Sequence, residues 1–463
     1  MLGMTSSKCA GMGKVWLAQV SCVALAAMAL TQPAQAIDLM QVYQLALVQD
    51  ATLKAAVAAN RSAAERIPQA RAQMLPNVSY SAALNNNDLT RTQANTDAQS
   101  DRYNSDNHTL SVRQALFRRP LSLGLTQAGF QVRDAQAVLE SEMQNLGVRV
   151  TSAYLEALLA KDQLDLVLLQ VATIGTQLDA AKKSLANGAG VRTDVDEAQA
   201  RLDLALAQEL EARQQLELTR RQVEVLINRP FDKLEPLDAN RMVLAPPAPA
   251  SLEAWVEMAY ERSPDIQALK ARLETARLEV DKSRAGHLPT LDAVAQLVKS
   301  SSENVNFPSS GFSNRVVGVQ LTVPIYAGGL VDATVRQGLA EVNRAEELLE
   351  AAKRDLSVRI HREHRGMTEG IARVRGLETA VRSAEQLVIS SKRSYEGGSR
   401  TIVDVFNAQQ QRQTAKRDLA TARYTYMISL VRLHALAGMD KAEPISRLNS
   451  WLAQPFQFVS FKL

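Results

Sequence analysis

The sequence predicts an α+β membrane chain in which four β-strands are joined to two very long antiparallel helical hairpins, with an internal two-fold repeat. Three observations carry this expectation. Residues 38–78 align without gaps on residues 251–291, so that Leu39 meets Leu252, Ala46 meets Ala259, Arg71 meets Arg284 and Leu75-Pro76 meets Leu288-Pro289. Four segments alternate apolar and polar residues with period two. Two regions, Pro120 to Pro230 and Pro324 to Pro444, are free of internal proline, and each is interrupted by one short glycine turn.

The N-terminus is expected to be removed. Lys8 and Lys14 precede the apolar run WLAQVSCVALAAMAL, which ends in Ala34-Gln35-Ala36, the layout of a secretory signal cleaved after Ala36. Both cysteines, Cys9 and Cys22, fall inside that leader, which leaves the mature chain without thiol or disulfide chemistry. Cys22 is a poor lipidation site because Gln19 stands where an apolar residue is usual. The expected organisation is a signal peptide over 1–36, a first repeat over 37–240, a second over 241–438 and a C-terminal tail over 439–463.

Composition excludes several function classes. Of 463 residues, 46% are hydrophobic and only 5% aromatic, a balance that suits long helices better than a compact enzyme core. The formal charge of +4 falls to about +2 without Lys8 and Lys14, and no basic stripe interleaved with aromatics offers a nucleic-acid surface. Beyond the leader, no run approaches the roughly 20 apolar residues of a spanning helix, so entry into a membrane would have to use strands.

The strands suit that role. In VVGVQLTVPI, Val317, Val319, Leu321, Val323 and Ile325 share one face, opposite Val316, Gly318, Gln320 and Thr322. TLDAVAQLV sets Leu291, Ala293, Ala295 and Leu297 against Asp292 and Gln296, and TLSVRQALF sets Leu110, Val112 and Leu116 against Ser111 and Arg113. NVSYSAAL alternates likewise. Each strand is near membrane-spanning length, and the segments NNNDLTRTQANTDAQSDRYNSDNH and SSSENVNFPSSGFSN read as long polar external loops. A half-buried sheet in a soluble domain has the same period. Four strands cannot close a barrel and an open edge is not tolerated in lipid, so several copies must pool their strands. Three copies give twelve strands; two give eight with little lumen.

In each half the glycine turn divides the helical region into one helix of roughly 65 and one of roughly 35 residues, the longer reaching about 95 Å. Val335, Leu339, Val342, Leu349, Ala352, Leu356, Ile360, Met367, Ile371, Val374, Leu377 and Val381 follow the three-four spacing of coiled-coil packing. The turns themselves, ANGAGVRTDVDEAQAR with Gly188 and Gly190 and EGGSRTIVDVFNAQQQ with Gly397 and Gly398, share a D-V-x-x-A-Q frame. Asp194, Val195, Ala198 and Gln199 in the first match Asp404, Val405, Ala408 and Gln409 in the second.

Candidates for chemistry are few. His361 and His364 lack metalloprotease spacing and read as part of a solvated helical face. No phosphate loop, nucleophile elbow or paired catalytic carboxylates are legible, so neither an enzyme, a cofactor nor a metal site is expected.

The segment GSRTIVDVFNAQQQRQTAKRDLATARYTYMISLVRLHALAG resembles the signature of the TolC family of outer-membrane export channels, as do the duplication, the Leu-Pro before each half's first strand and the VPIYAGG after the last. The resemblance covers nearly the whole mature chain. It implies a homotrimer with a twelve-stranded barrel in the outer membrane, a coiled-coil tunnel of helices across the periplasm, and an equatorial belt drawn from residues 229–262 and the tail. It implies as partners outer-membrane lipid, a periplasmic adaptor (membrane fusion) protein and an inner-membrane ABC or proton-driven transporter, in type I protein secretion or multidrug efflux. The rival expectation is a structural coiled-coil anchor spanning the periplasm, which would need no second strand pair.

The same resemblance implies a gate at the turns. Family links between a Thr-Asp on one hairpin and a Tyr and an Arg on another fall on Thr193, Asp194, Tyr395 and Arg400. The family's acidic entrance positions fall on Asp404 and Asn407, where the second carboxylate is missing. Through the repeat frame Asn407 corresponds to Glu197, so Asp404 and Glu197 are expected to form the acidic constriction. A bland reading of Arg400 and Asp404 is an ion pair along their own helix.

Overall fold

The computed structural model describes residues 36–92, 97–303 and 310–453. Apart from Ala36, the expected leader lies outside the described residues, as do Cys9 and Cys22. Helices α1 (Leu39–Gln49), α2 (Ala51–Ala64) and α3 (Arg66–Ala72) lead into strands β1 (Asn77–Arg91) and β2 (Gln99–Phe117), followed by α4 (Arg119–Ala186) and α5 (Arg192–Ile227). An irregular connection reaches α6 (Leu252–Arg262) and α7 (Pro264–Arg284), then β3 (Thr290–Ser301), β4 (Gly311–Thr322), α8 (Leu330–Glu396), α9 (Ile402–Leu436) and α10 (Ala442–Asn449).

The long helices have the lengths their proline-free runs allow: 68 and 36 residues for α4 and α5, 67 and 35 for α8 and α9. At 1.5 Å per residue α4 and α8 each extend about 100 Å. Their starts are set by local chemistry. Pro120 occupies the first turn of α4, where a missing N–H costs nothing, and Thr401 and Asp404 form a capping box at α9. No described helix is long and apolar enough to cross a membrane.

The four strands form one antiparallel sheet in the order β1-β2-β3-β4. Its register aligns the apolar sets of all four strands. Val78 pairs with Val112, Val112 with Ala295 and Ala295 with Val317, while on the other face Ser79 pairs with Ser111 and Ser111 with Gln296. Cross-strand partners share a face, so one side of the sheet is apolar near its root, through Val78, Val112, Ala295, Val317, Ala293, Val319, Leu291 and Leu321, and turns polar toward the hairpin tips at Arg315, Lys299 and His108. Among the described residues nothing covers the apolar side: Leu84 is 80% and Val317 87% exposed. At the sheet's root, Arg118 grips the buried Asp292 through two bonds of 2.9 and 2.5 Å, tying the start of α4 to β3.

Two expectations need correction. β1 and β2 are 15 and 19 residues long, longer than expected, because the polar stretch read as a loop continues the hairpin almost to its tip. Backbone pairing there needs no apolar side chains, and Arg102–Asp88 at 2.9 Å and Asn87–Ser105 at 2.9 Å hold the strands together. His364 is not on a solvated face. It is buried with its Nε2 at 3.2 Å from the carbonyl oxygen of Ala250, because the connection before α6 lies over that turn of α8; His361 is exposed.

The main core sits at the waist, where α1, the middle of α4 and α8, the ends of α5 and α9 and the start of α7 meet α6 and α10. Trp255, Tyr154, Tyr426, Leu146, Leu155, Leu158, Ile360 and Met367 are fully buried there. Backbone ties close it: Ile37 donates to Lys233 O at 2.9 Å, Asp238 N to Trp451 O at 2.9 Å and Ala453 N to Pro236 O at 2.9 Å. Residues of the interconnecting segment and of the tail thus pack against the helices at this level.

Candidate functional site

The tip of the helical hairpins is built from two turns of one design. After α4, Gly188 takes φ +72°, and Ala189 and Gly190 return hydrogen bonds to Ser184 O at 3.0 and 3.1 Å. After α8, Gly398 takes φ +76° and Ser399 bonds Ser394 O at 2.9 Å, with Gly397 bonding Arg393 O. Both are left-handed helix terminations that favour glycine. A side chain at Gly190 would stand 2.9 Å from the backbone nitrogen of Leu185, so the tightness of that turn also requires one.

The shared D-V-x-x-A-Q frame has a physical content. Ala198, Val405 and Ala408 are buried, and with Ile174, Leu178, Ala205, Ile402 and Phe406 all but Ala408 belong to a small apolar cluster joining α4, α5 and α9. The two hairpins of one chain therefore touch near the tip. The carboxylates of the frame are used differently. Asp404 accepts from Thr401 N at 3.0 Å and from its hydroxyl at 2.9 Å, bonds that, with the Arg400 charge, hold its carboxyl below the ordinary range. In the first turn the capping position is Val191, which has no hydroxyl, and α5 lacks a side-chain cap. Asp194 and Thr193 make no side-chain hydrogen bond among the described residues.

Arg400 does not form the ion pair with Asp404 that the bland reading foresaw. It donates to the hydroxyl of the buried Ser391 at 3.1 Å, across its own turn. Tyr395 is exposed on the last turn of α8. Within the chain, Thr193 and Asp194 are not brought to Tyr395 or Arg400 by any hydrogen bond or ion pair among the described residues.

Glu197 and Asn407, the positions at which the carboxylate changes hairpin, are brought together by a residue that the sequence reading passed over. Arg201 pairs with Glu197 at 2.6 Å and donates to Asn407 Oδ1 at 3.2 Å, with its guanidinium 4.9 Å from the centre of the Phe406 ring. The charge of Glu197 is thereby paired within the chain, leaving Asp404 as the carboxylate of the expected pair that has no ion-pair partner among the described residues. The i,i+4 spacing of Glu197 and Arg201 was a legible signal; the reach to Asn407 was not.

The family profile described as Outer membrane efflux protein matches residues 42–229 and 255–439. The alkaline protease secretion protein AprF of Pseudomonas aeruginosa is 32% identical over 420 residues, covering 89% of this chain and 87% of that protein. The outer membrane protein TolC of Escherichia coli is 29% identical over 437 residues, covering 91% and 86%. The crystal structure of the outer membrane protein VceC from Vibrio cholerae shares the fold with a TM-score of 0.73 at 18% identity, covering 87% of this chain and 96% of that one. With both stretches of long helix and the strands between them inside these matches, the chain belongs to the outer membrane efflux protein family.

Proposed function

We propose that three copies of this chain pool their four-stranded sheets into a twelve-stranded barrel in the outer membrane, and their helical hairpins into a tunnel across the periplasm. The observation that carries this reading is the sheet: near its root it presents an exposed apolar face, and among the described residues both β1 and β4 are open edges, which lipid does not tolerate. The helices carry a second, matching surface. On α5, Leu204, Leu218 and Val225 are 55–68% exposed and lie fourteen and seven residues apart, with Glu211 at the intervening position, a stripe suited to a neighbouring helix. The similar element lengths of the two halves support the reading of an internal repeat.

In this assembly the turns meet at the periplasmic end, where Asp194 and Thr193 of one hairpin close on Arg400 and Tyr395 of a neighbouring chain. The absence of a capping hydroxyl at Val191 supports the pairing, since the Asp194 carboxylate is not drawn into its own helix end as Asp404 is. Exposed ion pairs are worth about 0 to 1 kcal/mol each, and threefold repetition sums them into a latch that a docking adaptor can outweigh. Energy comes from an inner-membrane ABC or proton-driven transporter. AprF and the proteases secretion protein PrtF of Dickeya chrysanthemi, 29% identical over 423 residues, are named for protease export, which favours polypeptide cargo. Solution mass of the detergent-solubilised protein tests the assembly: a trimer is expected, and a monomer or dimer overturns it. Expression in a host lacking its own secretion channel tests the cargo. Protease in the medium is expected; restored resistance to small toxic compounds without secretion would overturn that assignment.

A further inference from the structure

We propose that Arg201 fastens the two helical hairpins of a single chain to each other at the tip, and so sets the position of the aperture face of α9. This rests on the reading of the tip as a gate. Arg201 lies on α5, in the first hairpin, and its partners divide between the two. Nε donates to Glu197 Oε1 on the same helix, and Nη2 donates to Asn407 Oδ1 on α9 in the second hairpin. The latter is the side-chain hydrogen bond that joins α5 to α9 among the described residues. The guanidinium also covers the ring of Phe406, which is itself buried against Ile174 and Leu178 of α4 and Ala198 and Ala205 of α5.

The geometry requires this residue type. A guanidinium offers donors in fixed, divergent directions and a flat face, so one group can hold a carboxylate, an amide and an aromatic ring together. An ammonium in its place can keep the Glu197 pair but not all three contacts. Glu197 is the orienting partner: its carboxylate, one turn back, aims the fork across the seam. Asn407 stands three residues after Asp404 and shares its helix face. Holding Asn407 therefore holds the side of α9 on which the Asp404 carboxylate sits. Arg201 is a positioning residue. It fixes where Asp404 stands while Glu197 is kept from adding a second free negative charge.

The departure at Asn407 acquires a reason in this arrangement. An amide oxygen accepts from Arg201 while leaving the guanidinium charge to Glu197. A carboxylate at the same place would compete for that charge. The exchange of carboxylate between the hairpins is thus coupled to the arginine that lies between them.

The test is resting conductance of the full-length channel in planar bilayers, with assembly checked by solution mass. Arg201→Met keeps the apolar stem and removes the donors. It is expected to raise the open fraction about five-fold, and Asn407→Ala to do the same, with the double variant no more open than the larger single. Asn407→Asp competes with Glu197 for the guanidinium and is expected to raise the open fraction in the wild-type background but to add nothing with Arg201→Met, a dependence that general loosening of the tip cannot produce. Additive effects, or an Asn407→Asp response independent of Arg201, would overturn the proposal. Arg400→Ser separates the two levels. If it opens the channel while Arg201→Met does not, the tie is wrong and the gate stands; if neither opens it, both readings fall.

Discussion

The waist and the tip of this molecule are both junctions of several helices, and they are built in opposite ways. The waist buries large aromatic residues and anchors them to the backbone. Trp255 donates to Pro249 O at 2.7 Å, Tyr426 both donates to Ala245 O at 2.8 Å and accepts from Ala245 N at 3.2 Å, and the Tyr154 hydroxyl lies 3.1 and 3.0 Å from Ile37 O and Glu235 O. The tip has a cluster of small and medium apolar residues with one aromatic, Phe406, rimmed by charges and amides. Stability is not uniform along a chain, and elements that must move are drawn from its weaker end. The difference is the one that the proposed gate requires: a heavily anchored waist and a lightly held tip.

Substitutions at the two junctions should separate these roles, and the largest effect belongs to the waist. Trp255→Ala removes the largest fully buried side chain and is expected to cost about 3–5 kcal/mol, read as a lower unfolding midpoint in thermal circular dichroism. Phe406→Ala should cost about 3 kcal/mol but locally. Hydrogen exchange should accelerate in residues 174–205 and 402–410 while protection at the waist is retained; a global loss of protection would show that the tip is not a separate unit. Tyr154→Phe removes one hydroxyl shared by two carbonyl groups, for about 1 kcal/mol in the same thermal measurement.

The smallest effect lies between the two junctions, on the seam of α4 and α9. Asp162 there accepts a 2.7 Å hydrogen bond from Tyr424, and burial pushes its carboxyl above the ordinary 3.8, opposed by the Tyr424 bond and by Lys161. A raised folded value favours the protonated form. Its contribution is therefore fully present below the unfolded value and is lost as pH rises through the folded one. Asp162→Asn keeps an acceptor for Tyr424 and removes this dependence. Its stability relative to wild type should rise between pH 4 and pH 7, measured by thermal melts at each pH, and a constant difference would refute the assignment.

The regular parts of the fold were legible because periodicity and punctuation agree. Proline-free runs ending at glycine turns gave the helix lengths, and the alternating sets Val317-Val319-Leu321 and Leu291-Ala293-Ala295 fell on the face the register confirms. The ends of β1 and β2 were not legible, since Asn85, Asn86, Asn87, Ser100 and Asn104 pair through the backbone without an apolar alternation to mark them. The tip was half legible. Thr401 and Asp404 carry the spacing of a capping box, and the glycines mark the turns. The contact of Arg201 with Asn407 joins residues 206 positions apart and depends on how the hairpins lie side by side.

The central claim, a channel whose resting state is held shut at its turns, is tested most directly by single-channel recording of the purified protein beside Arg400→Ser. Low resting conductance is expected in the wild type and a clear rise in the variant, with assembly unchanged. Equal conductance in the two proteins would contradict it.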